Sequence, residues 1–326
     1  MMAAHILPTE EEAIYDGRSA ALFAVLAGVS LGLMTGGATP DAASARPRAR
    51  VSIVIRGLML IAIGLLLGRL LVPVAVILDT YGFLFLIITP LLFAPRWVLA
   101  TLAAAAAVCG PALVAILARA TVDGGPLPVA ADSALVVPLA WLTGYYPAPV
   151  WIAYLLVGLL LARSDIRRVR SQVVAIAAGA TSAALGYGIP LALGSPVEAH
   201  EDSLAEVLGA GGLAMLIVGL LAWLSNNAPG LAQRGLRFAW PLATAGAMAL
   251  TIYAGHIFVI ALARQIVSVD GFDTGAWMNG WFLAWLAAGS VVFSVLWRIR
   301  FTQGPLEYAL TVMTLRQKGV RGGRNA

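Results

Sequence analysis

Charge in this chain is concentrated in the gaps between apolar runs, and the runs are long enough to cross a bilayer. Nine of them lie near residues 17–36, 51–69, 72–94, 97–119, 147–163, 171–193, 204–225, 240–264 and 277–298. A membrane-spanning helix needs roughly 20 predominantly apolar residues. Hydrophobic residues make up 60% of the chain and charged residues only 11%, a balance that excludes a water-soluble domain of this length. The expected fold class is all-α, a polytopic integral membrane helical bundle. A single transmembrane domain over residues 1–298 holds a stub at 1–7 and nine complete spans, and a basic tail follows at 299–326. The fifth run is short. Pro138, Pro147 and Pro149 around its start predict a kinked or re-entrant segment there.

The sign of the charge alternates from one gap to the next. Arg46, Arg48, Arg50, Arg96, Arg163, Arg167, Arg168, Arg170, Arg234, Arg237, Arg300, Arg316, Lys318, Arg321 and Arg324 fall in every second connection. Glu10, Glu11, Glu12, Asp16, Asp123, Asp132, Glu198, Glu201, Asp202, Asp270 and Asp273 fall in the others. By the positive-inside rule the first set is cytoplasmic, the second external, and the C-terminus is inside. The net charge of +5 therefore reflects topology rather than a nucleic-acid partner. Arginine used almost to the exclusion of lysine points to GC-rich coding and a bacterial plasma membrane. Cys109, the single cysteine, lies in an apolar run, so neither a disulfide framework nor a thiolate metal site is expected.

Nine spans that end inside must begin outside. Met1 to Leu7 is too short for a signal-peptide core, and it reads as the last turns of an earlier span. The expectation is a parent protein of ten spans; the alternative is a short translocated N-terminal tail. After an acidic loop, Asp16-Gly17-Arg18 opens the first complete run, in which Ala20, Ala24, Gly28, Gly32 and Gly36 recur every fourth residue. On a helix they form one smooth face for close packing of another membrane helix.

The candidate chemistry lies near the external side. His5 ends the stub, His200 lies in the loop 196–203, and His256 sits about 12 Å inside the 240–264 run, counting 1.5 Å per residue from Arg264. His256 either makes an interhelical hydrogen bond or lines a cavity with Thr251 and Tyr253. His5 and Asp16 are either ordinary loop residues or a general base with its orienting carboxylate. Asp79 and Arg56 lie within runs, where an unpaired charge is costly, and Arg56 can instead snorkel to the headgroups. Arg46, Arg48, Arg50 and Arg56 together suit a phosphate-bearing ligand or anionic lipid. Nucleotide-binding loops, H-E-x-x-H and G-x-S-x-G are all absent, and no internal repeat marks a transporter.

Several segments taken in order resemble one family. They are M-x-x-H-x-x-P at the start, D-G-R-S-A-A-L-F from Asp16, R-G-L-x-L-x-x-I-G-L-L-L from Arg56, and I-L-x-x-Y-G from Ile77. G-x-Y-P-x-x-x-W-x-A-Y from Gly144, H-x-x-S from His200, A-L-T-x-Y-x-x-H from Ala249 and G-P-L-E from Gly304 follow. This order resembles the bacterial, especially actinobacterial, membrane proteins related to heparan-α-glucosaminide N-acetyltransferase. Their C-terminal half overlaps an uncharacterised bacterial membrane family with the same G-P-L-E. The resemblance implies an acyltransferase that moves acetyl from cytoplasmic acetyl-CoA to an external cell-envelope sugar or glycan. Such relatives use a loop histidine and an Asp near the start of the second span; Asp16 fits the latter to within one residue, whereas His5 sits at the end of the stub.

The expected roles follow from this. His5, oriented by Asp16, deprotonates the acceptor, with His200 as the substitute. Arg18, Ser203, Tyr253 and His256 line the acceptor site, and Arg46, Arg48, Arg50 and Arg56 meet the phosphates of acetyl-CoA, without a metal. The expected partners are the lipid bilayer, an external glycan or small-molecule acceptor, and a second copy of the chain. The alternatives are a small-solute transporter, with His256, Asp79 and Arg56 as pathway groups, and a non-enzymatic membrane scaffold.

Overall fold

The computed structural model describes residues 1–7, 16–70, 72, 74–122, 125–126, 133–227, 229–269 and 278–319. Glu10, Glu11, Glu12, Asp123, Asp132, Asp270, Asp273, Arg321 and Arg324 lie outside the described residues, as do the side chains of Arg237, Arg316 and Lys318. Among the described residues every regular element is helical. The helices are α1 (Met2–Ile6), α2 (Arg18–Met34), α3 (Arg46–Gly68), α4 (Leu78–Ile88), α5 (Arg96–Thr121), α6 (Val136–Thr143) and α7 (Ala148–Arg163). They continue as α8 (Val169–Ala183), α9 (Ile189–Ala192), α10 (Leu204–Asn227), α11 (Pro229–Gly246), α12 (Ala249–Val269), α13 (Gly280–Arg300) and α14 (Pro305–Gly319).

The chain is a multi-pass membrane helical protein. Among the described residues six helices are long and apolar enough to cross a bilayer: α3, α5, α8 extended through α9, α10, α12 and α13. The pair α6–α7, bent by 59°, makes a seventh if it crosses as one span, and α2 and the Leu78–Leu91 stretch are shorter apolar helices. The bend falls where Pro147 and Pro149 break the run, as their missing N–H groups require. Each of the nine apolar runs thus yields helix, but three boundaries differ from expectation. The run from 72 becomes helical only at Leu78, so Asp79 stands in a first helical turn rather than two turns inside a span. There a carboxylate is favoured by the helix dipole. The 240–264 run is broken between α11 and α12. Helix α12 reaches Val269, which leaves His256 roughly 20 Å from that end and about 10 Å from Ala249. The basic tail includes a helix, α14.

The described chain forms two compact units. One comprises Asp16–Ile61 and Ile77–Asn227, the other Met1–Tyr15, Ala62–Val76 and Ala228–Ala326. In the first, α2 lies along α7 in the same direction. A Cβ on Gly28 would overlap the Leu155 carbonyl, and one on Gly158 the Val25 carbonyl, so only glycine permits this backbone approach. The four-residue stripe of α2 is the packing face: Ala20 and Ala24 are buried, with Gly28 and Gly32 beside them. Its last member departs from the helix, because α2 ends at Met34 and Gly36 takes φ +98° in the turn. Parallel packing puts Asp16 and Trp151 at one end of the pair, Thr35 and Arg163 at the other.

Arg163 is only 4% exposed and ties off that second end. Its guanidinium donates to the carbonyls of Gly37 (2.5 Å), Gly32 (3.3 Å), Thr35 (3.3 Å) and Leu92 (2.7 Å), and to Thr35 Oγ1 (2.6 Å). The carbonyls of Gly32, Thr35 and Gly37 lie at the C-terminal end of α2, where a cation complements the dipole and satisfies acceptors that the helix leaves open, and Leu92 adds one from beyond α4.

In the second unit the segment after α13 reaches back to α12. Glu307 accepts from Leu250 N (2.8 Å), Thr251 N (3.0 Å) and Thr251 Oγ1 (2.5 Å), and Leu306 N donates to the same hydroxyl (3.1 Å). The Glu of G-P-L-E therefore caps the helix opened by A-L-T. Two motifs separated by some fifty residues are one contact.

Candidate functional site

At the end of the larger unit that carries Asp16, a short loop is held by one buried carboxylate. Ser203 is the N-cap of α10: its Oγ accepts from Glu206 N (3.0 Å) and donates to the Glu201 carboxylate. Glu206, 6% exposed, turns back and accepts from His200 N (2.7 Å) and Asp202 N (2.9 Å). This is an extended capping box, with the acid satisfying loop amides rather than the N-cap amide. It holds His200 and Asp202 at φ +62° and +54°, a region non-glycine residues seldom occupy.

The strained loop presses the His200 side chain inward until it is 7% exposed. Its ring lies 4.1 Å from Tyr145, 5.3 Å from Tyr146 and 6.1 Å from Trp151, centroid to centroid. Nε2 stands 3.9 Å from Asp16 Oδ1, and Nδ1 is buried without a hydrogen-bond partner among the described residues. Burial pushes the imidazole below the ordinary histidine value, while the Asp16 carboxylate pulls it back up. At neutral pH the ring is uncharged. The carboxylate beside Nε2 favours a proton there and leaves a lone pair on Nδ1. Asp202 is pushed from 3.8 up to about 7, first by burial and then by the charge of Glu206, against a hydrogen bond from Trp151. Burial and the charges of Asp16 and Glu206 raise the Tyr145 phenol.

Three motifs quoted from the sequence converge here. Gly17 takes φ +60°, where a side chain would be strained and its Cβ would stand a tight 3.1 Å from that of Ala199, and its N–H donates to Asp16 Oδ1 (2.9 Å). Arg18 lies over the Tyr187 ring at 4.7 Å. Tyr187 belongs to a π-helical turn, Ala184–Gly188, just before Pro190, which cannot donate the bond that would continue an α-helix. Asp16, Arg18, His200 and Ser203 thus share one neighbourhood, and the D-G-R, G-x-Y-P and H-x-x-S segments supply it.

The other predicted histidines form a separate pair in the second unit. His5 Nδ1 lies 2.8 Å from His256 Nε2, and His256 Nδ1 lies 3.1 Å from the Ile252 carbonyl. That carbonyl can only accept, so Nδ1 of His256 carries the proton, Nε2 accepts from His5, and the free lone pair is on His5 Nε2. Tyr253 stands edge-on to both rings, at 6.1 Å and 5.2 Å. The sequence expectation set His5 beside Asp16. The imidazole beside Asp16 is that of His200, the hydrogen-bond partner of His5 is His256, and the two histidine clusters belong to different units.

The predicted arginine set also divides. Arg46 and Arg50 lie 5.0 Å and 5.6 Å from the Phe93 ring, which Arg163 approaches from 5.8 Å. Arg48 is exposed, and Arg56 is ten residues beyond Arg46 on α3, about 15 Å along the axis. Asp79 accepts from the Trp141 indole (2.8 Å). Sequence reasoning missed Glu206, Asp202, Tyr145 and the buried role of Arg163. The S-x-x-E at 203–206 before an apolar run is a capping-box signal and marks Glu206; nothing comparable marks Arg163. Among the described residues no group of three His, Cys, Asp or Glu side chains has the geometry to hold a metal.

A polytopic helical membrane protein with a buried, carboxylate-flanked histidine is the class that fold and site define. Residues 160–317 match the family described as a protein of unknown function, DUF418. The match takes in the His200 loop, Glu206, His256 and Glu307, and leaves out Asp16, Arg18, Tyr145 and Trp151. No curated protein and no solved structure matches the chain.

Proposed function

We propose that the protein is a transmembrane acyltransferase of a bacterial plasma membrane, with its C-terminus in the cytoplasm. It moves an acyl group, acetyl by the family resemblance, from a cytoplasmic CoA thioester to an external cell-envelope sugar or glycan. The observation that carries this reading is the neutral, buried His200 with an unpartnered Nδ1 and Asp16 beside Nε2. Nδ1 takes the proton of the acceptor amine or hydroxyl as that atom attacks the thioester carbonyl. The C–S bond breaks, and the thiolate leaves to become free CoA. Asp16 holds the ring and stabilises the imidazolium that forms. Tyr145, exposed beside the His200 ring, offers a face against which a sugar ring can lie, with the buried Tyr146 and Trp151 packed behind the imidazole.

The charge layout supports the orientation. Arg163, Arg46 and Arg50 gather around Phe93 at the far end of the α2–α7 pair, while Asp16 and Glu206 hold the near end. In this reading Arg46 and Arg50 meet the donor phosphates. Trp151 and Arg163 are twelve residues apart on α7, about 18 Å, which the extended arm of the thioester has to span.

The test is labelled acetyl-CoA supplied to inside-out vesicles that contain the full chain. An acylated acceptor and free CoA are expected from wild type, and neither from His200→Gln. Counterflow of an unmodified solute with no CoA release would replace this reading with transport.

A further inference from the structure

A cavity of about 1230 Å³ in the larger unit has no part in the proton transfer at His200, and its two ends differ in chemistry. Arg96, Arg163 and Arg170 stand at one end. Arg96 is the first residue of α5 and Arg170 lies in the first turn of α8, and neither helix has a side-chain cap. Two sets of open backbone N–H groups and two positive dipole ends therefore meet the arginines. Of the acids near this end, Asp165 is 2.7 Å from Arg168 and is neutralised by it, and Asp41 acts on Arg163. Among the described residues neither Arg96 nor Arg170 has an ion-pair partner. Arg163 is 4% exposed, and its Nε–H is buried with no hydrogen-bond partner there, although both terminal nitrogens are used.

Away from that end the wall is smooth and apolar. Ala100, Ala104 and Ala107 follow one another along one face of α5, with Ala178 on α8 among the other lining residues. The serine hydroxyls on α8 are already committed: Ser182 Oγ donates to the Leu208 carbonyl (2.8 Å) and Ser171 Oγ to the Ser164 carbonyl. A polar chain laid here would leave its amides unsatisfied, at a cost of a few kcal/mol each, whereas hydrocarbon would not.

We infer that this cavity binds an anionic phospholipid of the surrounding bilayer. The phosphate lies against Arg96, Arg170 and the Arg163 Nε–H, and an acyl chain runs along the α5 alanines. The charge at one end selects the headgroup, and the bare wall selects the tail. This occupant does not depend on acyl transfer at His200, so either reading can fail without the other.

The experiment is native mass spectrometry of the full chain released from nanodiscs of equal phosphatidylglycerol and phosphatidylcholine. Wild type retains phosphatidylglycerol in preference to phosphatidylcholine. Arg96→Gln and Arg170→Gln each weaken that retention roughly fivefold, the factor expected from one basic side chain at a lipid surface. Ala104→Phe abolishes it, and Ala178→Leu on the opposite wall serves if the phenylalanine variant does not fold. Equal retention of the two lipids would overturn the inference, as would wild-type retention in the folded wall variants. Displacement of the lipid by millimolar inorganic phosphate would overturn it too, because the site would then be one for a free anion.

Discussion

The two histidine clusters look alike in the sequence and differ in what their nitrogens are doing. In the pair of the second unit, His256 uses both ring nitrogens, one on the Ile252 carbonyl and one on His5. In the larger unit His200 has a buried, unpartnered Nδ1 and a carboxylate near Nε2. The first arrangement is complete and ties a short helix to α12; the second leaves one ring nitrogen without a partner among the described residues. The supports differ too. Glu307 caps α12 two turns before His256, in relaxed helical backbone, whereas Glu206 holds His200 in a strained conformation. Strain is tolerated where the surroundings over-determine it, and here a buried carboxylate with two amide bonds does so.

This contrast can be broken most readily by exchange of the histidines one at a time. His200→Gln is expected to lower kcat/KM for acyl transfer at least 100-fold, the usual contribution of a general base. His256→Gln is expected to leave the rate within about tenfold and to lower thermal stability by about 1–2 kcal/mol through the lost hydrogen bond. Equal losses of rate from both would erase the distinction. Glu206→Ala comes next. It leaves the amides of His200 and Asp202 without an acceptor, so a destabilisation of about 3 kcal/mol is expected in thermal unfolding, with transfer lost as the loop relaxes. Glu307→Ala removes only a cap, and about 1–2 kcal/mol is expected, with Glu307→Gln retaining part of it. Amide exchange at Leu250 and Thr251 reads that effect directly.

A separate test is the dependence on pH. Because Asp202 is raised from 3.8 to about 7 in the folded chain, the native state holds a proton that the unfolded state has released. Stability therefore falls as pH rises from about 4 to about 7 and levels off above that. Asp202→Asn should flatten this slope in a melting-temperature series, and a slope that persists in the variant would assign it to other groups.

The membrane class, the nine helical runs and the packing stripe of α2 were legible because hydropathy and small-residue spacing act locally. The ends of elements were harder to read. Asp79 opens a helix that hydropathy alone begins at residue 72, and the break between α11 and α12 falls at Ala247 and Met248 inside an apolar run. The site was legible in its parts, as Asp16, Arg18, His200 and Ser203 were all named from the sequence. Its pairing was not, because which histidine meets Asp16 depends on how α2 and α7 bring distant segments together. Proximity along the chain favoured His5, eleven residues away, whereas packing brings His200, which is far off in sequence. Arg163 was counted as a topological charge because burial of a side chain at a helix end leaves no local pattern.

The most direct measurement is acyl transfer by His200→Gln and His5→Gln proteins side by side, in inside-out vesicles given labelled acetyl-CoA. The account predicts no labelled acceptor from the His200 variant and near wild-type labelling from the His5 variant. Undiminished transfer by the His200 variant, or its loss in the His5 variant alone, would contradict it.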